Sequence, residues 1–462
     1  MSVAHEFEPD LYDALKGLLG DHFSVTQAVR DHHAKDMSHH PAAPPDAVVF
    51  AHTNEEVAEV VRLCAQYKTP VVPFGTGTGL EGHVQALRGG VTINLQQMAS
   101  VLEVNQEDLN CRVQAGVTRK ALNEHLRDTG LFFPIDPGAD ASLGGMSATR
   151  ASGTNAVRYG TMRENVLGLT VITPSGQIIQ TGGRAKKSAA GYDLTRVYVG
   201  SEGTLGVITE IQLKLYGIPE VISSAVCPFD NLAGAVDAVT TIIQSGIPVA
   251  RVELLDDIMM KATNDYSDFD YPVLPTLFFE FHGSEAGVAE QAELVRDISS
   301  EFGGGDFQWA TKTEDRNRLW QARHDAYFAS IAMRPGCKLL STDVCVPISQ
   351  LTDVLTATRK DVDDLNLIGA IVGHVGDGNF HVGLCINPDD EEEMVRVNQM
   401  NSQLVGRAIA AGGTCTGEHG IGCGKIKYLH AEHGESVTVM RQLKNALDPD
   451  GIMNPGKMLP SN

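Results

Sequence analysis

The chain has 462 residues, 42% of them hydrophobic, and a formal net charge of −22. This length and composition predict a globular protein of two to four domains and exclude a disordered chain. The negative charge argues against a nucleic-acid-binding protein, which needs a basic surface, and no apolar run approaches the roughly 20 residues of a membrane-spanning helix.

The amino terminus and the cysteines bear on the location of the protein. The initial segment, MSVAHEFEPDLYDAL, lacks the basic and apolar regions of a signal peptide and is too acidic for a transit peptide. The eight cysteines form no C-x-x-C pair and have no regular spacing, which is typical of reduced, mostly buried thiols. We therefore expect a cytoplasmic protein.

Helix and strand patterns alternate through the first part of the chain. Residues 54–67 carry apolar side chains at helical spacing behind Asn54, which we predict to cap the helix. Residues 69–74 and 90–95 have strand patterns. A short helix is predicted within 116–130, stopped by Gly130, and a hairpin over 167–182, turning at 174–176.

The pattern changes near residue 220. Strand, helix and strand are predicted in turn over 223–229, 231–246 and 249–255, and the same order recurs over 275–283, 286–303 and 306–311. Two successive βαβ units of this length indicate a ferredoxin-like α+β domain.

A glycine-rich loop, GTGTGLEG over residues 75–82, contains a G-x-G-x-x-G match. A dinucleotide-binding fingerprint must open a helix, yet only six residues separate this loop from Gly89-Gly90 and the next strand. The loop is therefore either a backbone cradle for a phosphate or an ordinary turn.

A second stretch, residues 134–166, is dense in Gly, Ser, Thr, Asn and Ala, and loops of this length inside a domain are usually functional. Its segments DPGADASLGGMSATRASGT and RYGTMRENVLGL, together with VGSEGTLGVITEIQLKL, resemble the vanillyl-alcohol oxidase/PCMH flavoprotein superfamily. The resemblance implies an α+β fold with a PCMH-type FAD-binding domain over 1–220, a ferredoxin-like substrate (cap) domain over 221–415 and a C-terminal helical segment over 416–462 that returns to the flavin.

The same resemblance implies where FAD binds. The pyrophosphate would lie over the first glycine loop, the isoalloxazine along the second stretch, and Ile208 near the adenine. The implied cofactor-binding residues are Pro73, Gly75, Thr76, Gly77, Thr78, Gly79, Leu80, Gly82, Pro137, Gly138, Ser142, Gly144, Gly145, Ser147, Gly153, Thr154, Tyr159, Gly160, Glu202, Gly203, Ile208 and Asn454. Some relatives attach the flavin covalently to a histidine near the first loop. His83 lies two residues beyond that position, so we expect noncovalent FAD and no role for His83.

Residues 371–386, IVGHVGDGNFHVGLCI, contain two histidines around Asp377-Gly378, which predicts a two-residue hairpin turn. In that register His374 and His381 are direct cross-strand neighbours on one face, about 5 Å apart between Cβ atoms. Two imidazoles so placed can chelate a metal ion, with metal–nitrogen distances of about 2.1 Å. The alternative is a polar pair on an exposed hairpin.

The segment GTCTGEHGIGCGK places Glu418 and His419 between glycines. Together with GHVGDGNFH it resembles the FAD-linked D-2-hydroxyacid dehydrogenases, and among them the cytochrome-linked type that oxidises D-lactate. The resemblance implies that His374, His381 and Glu418 hold a divalent metal and that His419 is the catalytic base. A mixed nitrogen and oxygen set suits zinc, manganese or iron. A plain solvated loop is the alternative.

A substrate carboxylate needs a cation, and an arginine fork matches it. Arg323 and Lys338 have the fifteen-residue separation of the substrate-binding pair in the 2-hydroxyglutarate relatives, although both could be solvated surface charges. Those relatives also use an asparagine where this chain has Gly383, which favours a small hydroxy acid over a diacid.

These residues predict FAD-dependent, metal-assisted oxidation of a small D-2-hydroxy acid, first D-lactate to pyruvate, with glycolate and D-2-hydroxyglutarate as alternatives. The electron acceptor would be a cytochrome, a quinone or an electron-transfer flavoprotein, which would bring the protein to the inner membrane surface without insertion. Two other classes stay open: a metal-dependent hydrolase and a non-catalytic nucleotide-binding subunit. The oligomeric state is not predicted.

Overall fold

A computed structural model describes residues 8–460 of the chain. The beginning of the segment in which no leader was recognised, residues 1–7, lies outside the described residues. The described residues divide into two compact units, the first with 8–152, 160–218 and 418–460, the second with 153–159 and 219–417. The expected boundaries, after residues 220 and 415, stay a prediction, and residues 153–159 belong to the second unit.

Most of the helices and strands up to residue 218 belong to the first unit; α6 is the exception. In chain order they are α1 (Pro9–Leu19), β1 (Phe23–Ser24), α2 (Gln27–His32), β2 (Ala47–Phe50), α3 (Asn54–Gln66), β3 (Val71–Phe74), β4 (Val91–Asn94), β5 (Val101–Asn105), β6 (Asn110–Gln114), α4 (Arg119–Leu126), β7 (Leu131–Phe132), α5 (Leu143–Thr149), α6 (Ala156–Tyr159), α7 (Met162–Asn165), β8 (Val166–Ile172), β9 (Ile178–Gly182), α8 (Leu194–Tyr198), β10 (Val207–Lys214) and β11 (Tyr216–Gly217).

The second unit follows, and two final helices belong again to the first. In chain order these elements are β12 (Val221–Pro228), α9 (Leu232–Gln244), β13 (Arg251–Leu255), α10 (Asp257–Ser267), β14 (Thr276–Gly283), α11 (Glu285–Glu301), β15 (Gln308–Ala310), α12 (Thr313–Ala332), β16 (Lys338–Ser341), β17 (Val344–Cys345), α13 (Leu351–Asp364), β18 (Gly369–His374), β19 (Asn379–Ile386), α14 (Glu391–Ala410), α15 (Leu429–His433) and α16 (Ser436–Leu447).

The first unit contains a four-stranded sheet, ordered β1-β2-β4-β3, and a five-stranded antiparallel sheet, ordered β5-β6-β10-β8-β9. Strands β2, β4 and β3 are parallel and nearly fully buried, so their apolar runs lack the alternation of a half-exposed strand. The first glycine loop begins where β3 ends. This sheet therefore fixes the position of the loop.

Local predictions in this unit hold, apart from the cap of α3 and the point at which α4 ends. Helix α3 is confirmed, and Val57, Val60 and Val61 on its apolar face are fully buried. Its cap was predicted wrongly: Thr53, not Asn54, is the N-cap, because its hydroxyl accepts the backbone N–H of Glu56 at 3.1 Å. Helix α4 ends at Leu126, before Gly130.

The glycine-rich stretch 134–166 is not structureless, because three short helices, α5 to α7, lie within it. The hairpin predicted over 167–182 is confirmed as β8 and β9, which pair in antiparallel register.

The cysteine prediction also holds. All eight cysteines are free and five of them are buried. Within residues 8–460 no helix combines the length and apolarity needed to cross a bilayer.

The second unit is built on one large sheet, ordered β15-β12-β14-β13-β18-β19-β16, with β17 paired to β19. The first four strands along this sheet are β15, β12, β14 and β13. In chain order these are the fourth, first, third and second strands of the unit. This is the strand order of a ferredoxin-like fold, which confirms the predicted βαβ pair. Helices α10 and α12 share a core with this sheet that includes Phe278, Trp320 and Ala326. The sheet continues into β18 and β19, which carry the two histidines.

The histidine hairpin is present, but its predicted register was wrong. His374 pairs with Asn379 and Val372 pairs with His381, so residues 375–378 form a four-residue connection. Of its residues only Gly378 has a positive φ, +81°, and its carbonyl accepts the N–H of Val346 at 3.0 Å. Since Val372 and His374 lie on one face, His381 is a diagonal neighbour of His374, and both histidines still share that face.

The close packing of Gly378 against Val346 leads to a prediction about stability. A Cβ added there would lie 2.1 Å from the carbonyl oxygen of Val346, whereas one added at Gly336, with φ +83°, would meet nothing within 4 Å. We expect Gly336→Ala to lower the free energy of unfolding by about 1 to 2 kcal/mol through left-handed strain alone. Gly378→Ala should lower it further, because the strain and the backbone overlap add. Thermal unfolding midpoints of the two variants measure the difference, and equal shifts would contradict the described turn.

Candidate flavin and metal sites

The first glycine loop packs against the amino-terminal end of α5. A Cβ on Gly75 would lie 2.3 Å from the hydroxyl oxygen of Ser142, so a side chain at this position would force that hydroxyl group to move. Ser142 caps α5 by accepting the N–H of Gly145 at 3.4 Å. The two glycine-rich segments singled out in the sequence are therefore neighbours within the first unit, as a shared cofactor site requires.

The predicted flavin contacts do not all lie in one unit. Those of the first loop, of α5 and of residues 160 and 202–208 belong to the first unit, whereas Gly153, Thr154 and Tyr159 belong to the second. Tyr159 is buried there, and its hydroxyl lies 2.7 Å from His282 Nδ1, whose Nε2 lies 2.8 Å from Glu280.

The C-terminal segment is hydrogen-bonded to other parts of the first unit. The backbone N–H of Asn454 donates to the carbonyl of Val71 in β3 at 2.8 Å. Its side-chain amide donates to the carbonyls of His83, at 3.1 Å, and Glu202, at 2.8 Å. Lys457 Nζ donates to the carbonyls of His83, at 3.2 Å, and Gln85, at 2.6 Å. The segment thus fixes the chain just beyond the first glycine loop.

His83, expected to have no role, is buried, and its Nε2 lies 3.6 Å from a carboxylate oxygen of Glu202. Burial alone would lower the pKa of this imidazole, but the carboxylates of Glu202, Asp36 and Glu81, led by Glu202, outweigh burial and the pKa is raised. The sequence offered no signal for this pair, because the two residues are far apart along the chain.

In the second unit, His374 and His381 lie with ring centroids 5.4 Å apart, and each offers a ring nitrogen within 4.8 Å of the other. His374 Nδ1 lies 2.7 Å from Glu253 Oε1, and His381 Nδ1 lies 2.9 Å from the carbonyl oxygen of Thr342. Because a carbonyl oxygen can only accept, Nδ1 of His381 carries the proton. In both rings Nε2 is then the nitrogen that a metal ion would take.

Glu253 was not found by sequence reasoning, although the structure gives it a central place. It is completely buried in β13 and binds His374 through one oxygen and Arg323 Nε, at 2.7 Å, through the other. Burial alone would raise the pKa of its carboxyl group, but His374 and Arg323 outweigh burial and the pKa is lowered. A charged residue within the apolar strand pattern VARVELL was the available signal.

His381 has a similar second support. Asp343 Oδ1 lies 3.7 Å from His381 Nδ1 and accepts the Asn379 side-chain amide at 2.7 Å, while Oδ2 accepts the Thr416 hydroxyl at 2.6 Å. Carboxylates and carbonyls that orient histidines in this way are typical outer partners of metal ligands.

The two predicted substrate cations have different surroundings. Arg323 lies next to the histidine pair through Glu253. Lys338 is exposed and pairs with Ile386, at the opposite end of β16 from Thr342, the residue whose carbonyl holds His381. Four residues of extended chain separate them by roughly 13 Å.

Glu418 and His419 begin the last segment of the first unit. Within that unit His419 Nδ1 lies 3.9 Å from Glu81 Oε1, and the same oxygen lies 3.2 Å from Lys425 Nζ. The side chains of Glu81 and Lys425 are both buried, so His419 lies beside a buried ion pair.

Comparison with known proteins agrees with this architecture. Residues 45–182 match the family described as FAD binding domain, and residues 218–458 match FAD linked oxidases, C-terminal domain. In fold, the chain is similar to 4-ethylphenol oxidase from Gulosibacter chungangensis, with a TM-score of 0.80 at 17% identity over 98% of both chains. The PCMH-type, α+β fold prediction is thereby confirmed, and the metal-hydrolase alternative is left without support.

Curated relatives are similar over almost the whole chain. The chain is 53% identical to the probable mitochondrial D-lactate dehydrogenase of Danio rerio, over 96% of this chain and 91% of that protein. It is 45% identical to the mitochondrial D-lactate dehydrogenase [cytochrome] of Arabidopsis thaliana, over 98% and 80%. It is 33% identical to the glycolate oxidase subunit GlcD of Bacillus subtilis, over 95% and 94%.

These relatives correct one prediction. The expected cytoplasmic location was wrong, because the Danio rerio and Arabidopsis thaliana relatives are both mitochondrial proteins. The acidic start of the chain was the misleading signal. The matches over both halves of the chain nevertheless agree with the resemblance found in its motifs. The chain belongs to the FAD-linked oxidases of the PCMH/vanillyl-alcohol oxidase superfamily, a family of flavin-dependent oxidoreductases.

Proposed function

We propose that the protein is an FAD-dependent dehydrogenase that oxidises D-lactate to pyruvate with the help of a divalent metal ion. The observation that carries the proposal is the histidine pair of the second unit, in which each Nδ1 is held by an oxygen acceptor. Such an arrangement prepares two neutral imidazoles for a metal, and it occurs in a chain with an FAD-binding domain. The D-lactate dehydrogenase names of the relatives support the choice of substrate.

The metal would be held by His374, His381 and Glu418. The donor set fits: two imidazoles of fixed tautomer and one carboxylate suit zinc, manganese or iron. When bound, the ion would lower the pKa of the substrate's 2-hydroxyl group. Glu253 and the Thr342 carbonyl would orient the imidazoles through their Nδ1 atoms.

FAD would be bound noncovalently by the residues of the two glycine-rich segments. The close approach of Gly75 to Ser142 supports this, because it places the first glycine loop beside the start of α5 in the first unit. When bound, FAD supplies the acceptor for the hydride that leaves C2 of the substrate.

The remaining steps fall to side chains of the chain itself. His419 would take the proton of the 2-hydroxyl group on Nε2, since its Nδ1 faces Glu81. Arg323 would bind the substrate carboxylate through its terminal nitrogens, since its Nε is fixed by Glu253. Lys338, at the far end of β16, is not included in this proposal.

The electron acceptor would be a cytochrome, which the name of the Arabidopsis thaliana relative supports, with a quinone or an electron-transfer flavoprotein as alternatives. Glycolate is the second candidate substrate, supported by the similarity to the glycolate oxidase subunit. Gly383, on the same face of β19 as His381, argues against a diacid.

Replacing the outer partner of His374 should weaken metal binding. We expect Glu253→Gln to lower metal affinity about 10- to 100-fold, as is typical of such partners. The matched control is Glu393→Gln, which alters a buried carboxylate of the same unit that is also paired to an arginine, Arg334, at 2.7 Å. Titration of metal-free protein with zinc or manganese measures both affinities. Equal affinities in the two variants would remove Glu253 from this role.

Removal of the base should block the reaction and spare the cofactor. We expect His419→Ala to slow anaerobic flavin reduction by D-lactate by at least about 100-fold, the usual contribution of a general base, with FAD content unchanged. His433→Ala, which alters an exposed histidine of the same unit paired with Glu432, is the control. Reduction of His419→Ala at the wild-type rate would contradict the assignment.

Removal of the metal should have a similar effect. We expect chelation to abolish reduction by D-lactate while the flavin absorbance of the protein persists, because ion and flavin have separate ligands. Restoration by zinc, manganese or iron then identifies the ion. Full activity in protein shown to be metal-free would rule out metal assistance.

A further inference from the structure

The loop that carries Glu418 and His419 needs an external support. Residues 417–424, GEHGIGCG, include four glycines, and Gly420 and Gly422 have positive φ values of +84° and +50°. Such a sequence has little conformational preference of its own. A catalytic group on it must therefore be held by contacts with other parts of the fold.

The side chain of Glu202 provides that contact. Its Oε1 accepts the backbone N–H of Ile421 at 2.7 Å, and its Oε2 accepts that of Gly422 at 2.8 Å. A Cβ on Gly420 would lie 2.7 Å from Oε1, so the loop backbone packs directly on the carboxylate. Both oxygens of one buried charge are thus used by two consecutive peptide groups of this loop.

Glu202 is itself held in an unusual conformation. It has φ +53°, a left-handed value that costs a residue with a side chain about 1 kcal/mol or more. Its N–H donates to the carbonyl of Ala148 at 2.9 Å, and its own carbonyl accepts the Asn454 amide at 2.8 Å. Backbone strain of this kind persists only where the surrounding contacts over-determine it, and here they aim the carboxylate at the loop.

The charge of Glu202 is retained in the folded protein. Burial alone would raise the pKa of its carboxyl group, but His83 and the two backbone N–H groups outweigh burial, and the pKa is lowered. A carboxylate can accept both hydrogen bonds, whereas a neutral amide cannot.

We propose that Glu202 is a positioning residue of the reaction: its carboxylate fixes the loop 418–424 and thereby places His419 against the substrate. This rests on the proposed function for the role of His419, but not for the fixing of the loop. It also gives Glu202, implied by resemblance to be a cofactor contact, a different task.

The test compares Glu202→Gln with Glu210→Gln. Glutamine has one acceptor oxygen, so one of the two N–H groups would face an amide donor. Glu210 is a buried carboxylate of the same unit whose oxygens accept from Asn54 and Thr170, so its replacement removes a comparable group elsewhere. Both variants are prepared as the full-length flavoprotein with metal in excess.

Amide hydrogen exchange, measured in the absence of substrate, tests whether Glu202 holds the loop in place. We expect the Ile421 and Gly422 amides to exchange about tenfold faster or more in Glu202→Gln, as for a lost hydrogen bond to a charged acceptor, and to be unchanged in Glu210→Gln. Unchanged exchange in Glu202→Gln overturns the proposal. Should that variant not fold, unprotected Ile421 and Gly422 amides in the wild type overturn it equally.

The rate of flavin reduction tests whether Glu202 positions His419. We expect Glu202→Gln to lower the limiting rate of flavin reduction by D-lactate about tenfold or more, with a smaller change in KM and normal FAD content. In the double variant with His419→Ala, the rate should fall no further than in His419→Ala alone, because Glu202 acts through His419. If His419→Ala slows flavin reduction but Glu202→Gln leaves the rate unchanged, the inference about Glu202 is contradicted and the proposed base is not. A normal His419→Ala contradicts the proposed base.

Discussion

A single buried charge governs the histidine face of the second unit. Glu253 is inaccessible to solvent, and an ionised carboxylate in such a place is costly unless both oxygens are paired. One oxygen is paired with the His374 imidazole and the other with the Arg323 guanidinium. The carboxylate therefore fixes these two groups relative to each other, so the proposed metal ligand and the proposed substrate anchor belong to one hydrogen-bonded arrangement.

The strands explain why the polar groups gather at one place. Arg251 and Glu253 are two residues apart in β13, so they point to the same face of the sheet. Arg251 lies 3.4 Å from Glu280 of β14, and Glu253 reaches His374 of β18. A row of paired charges thus crosses adjacent strands, while α10 and α12 cover an apolar core on the sheet. In this row the buried carboxylates of Glu253 and Glu280 are each paired with an arginine.

Much of this was readable from the sequence, where local rules decide. The βαβ pair, the helix over 54–66 and the hairpin before residue 182 follow from periodicity and turn residues. The register of β18 and β19 was mispredicted because Asp377-Gly378 has a strong two-residue turn signal, but packing against Val346 imposes a four-residue connection. Glu253 and the pair of His83 with Glu202 were not predicted, since they depend on which distant segments become neighbours.

The route of the chain through the first unit has a consequence for synthesis on the ribosome. Val71 and His83, near the first glycine loop, are hydrogen-bonded by Asn454, which is translated 371 residues after His83. Most of the second unit, residues 219–417, emerges before that segment. During synthesis the first unit therefore stays incomplete, because β3 lacks its hydrogen bond from Asn454 until the second unit has been translated. A premature stop shortly before Asn454 would release a chain that contains both glycine-rich segments but lacks the hydrogen bonds from Asn454 to Val71 and His83.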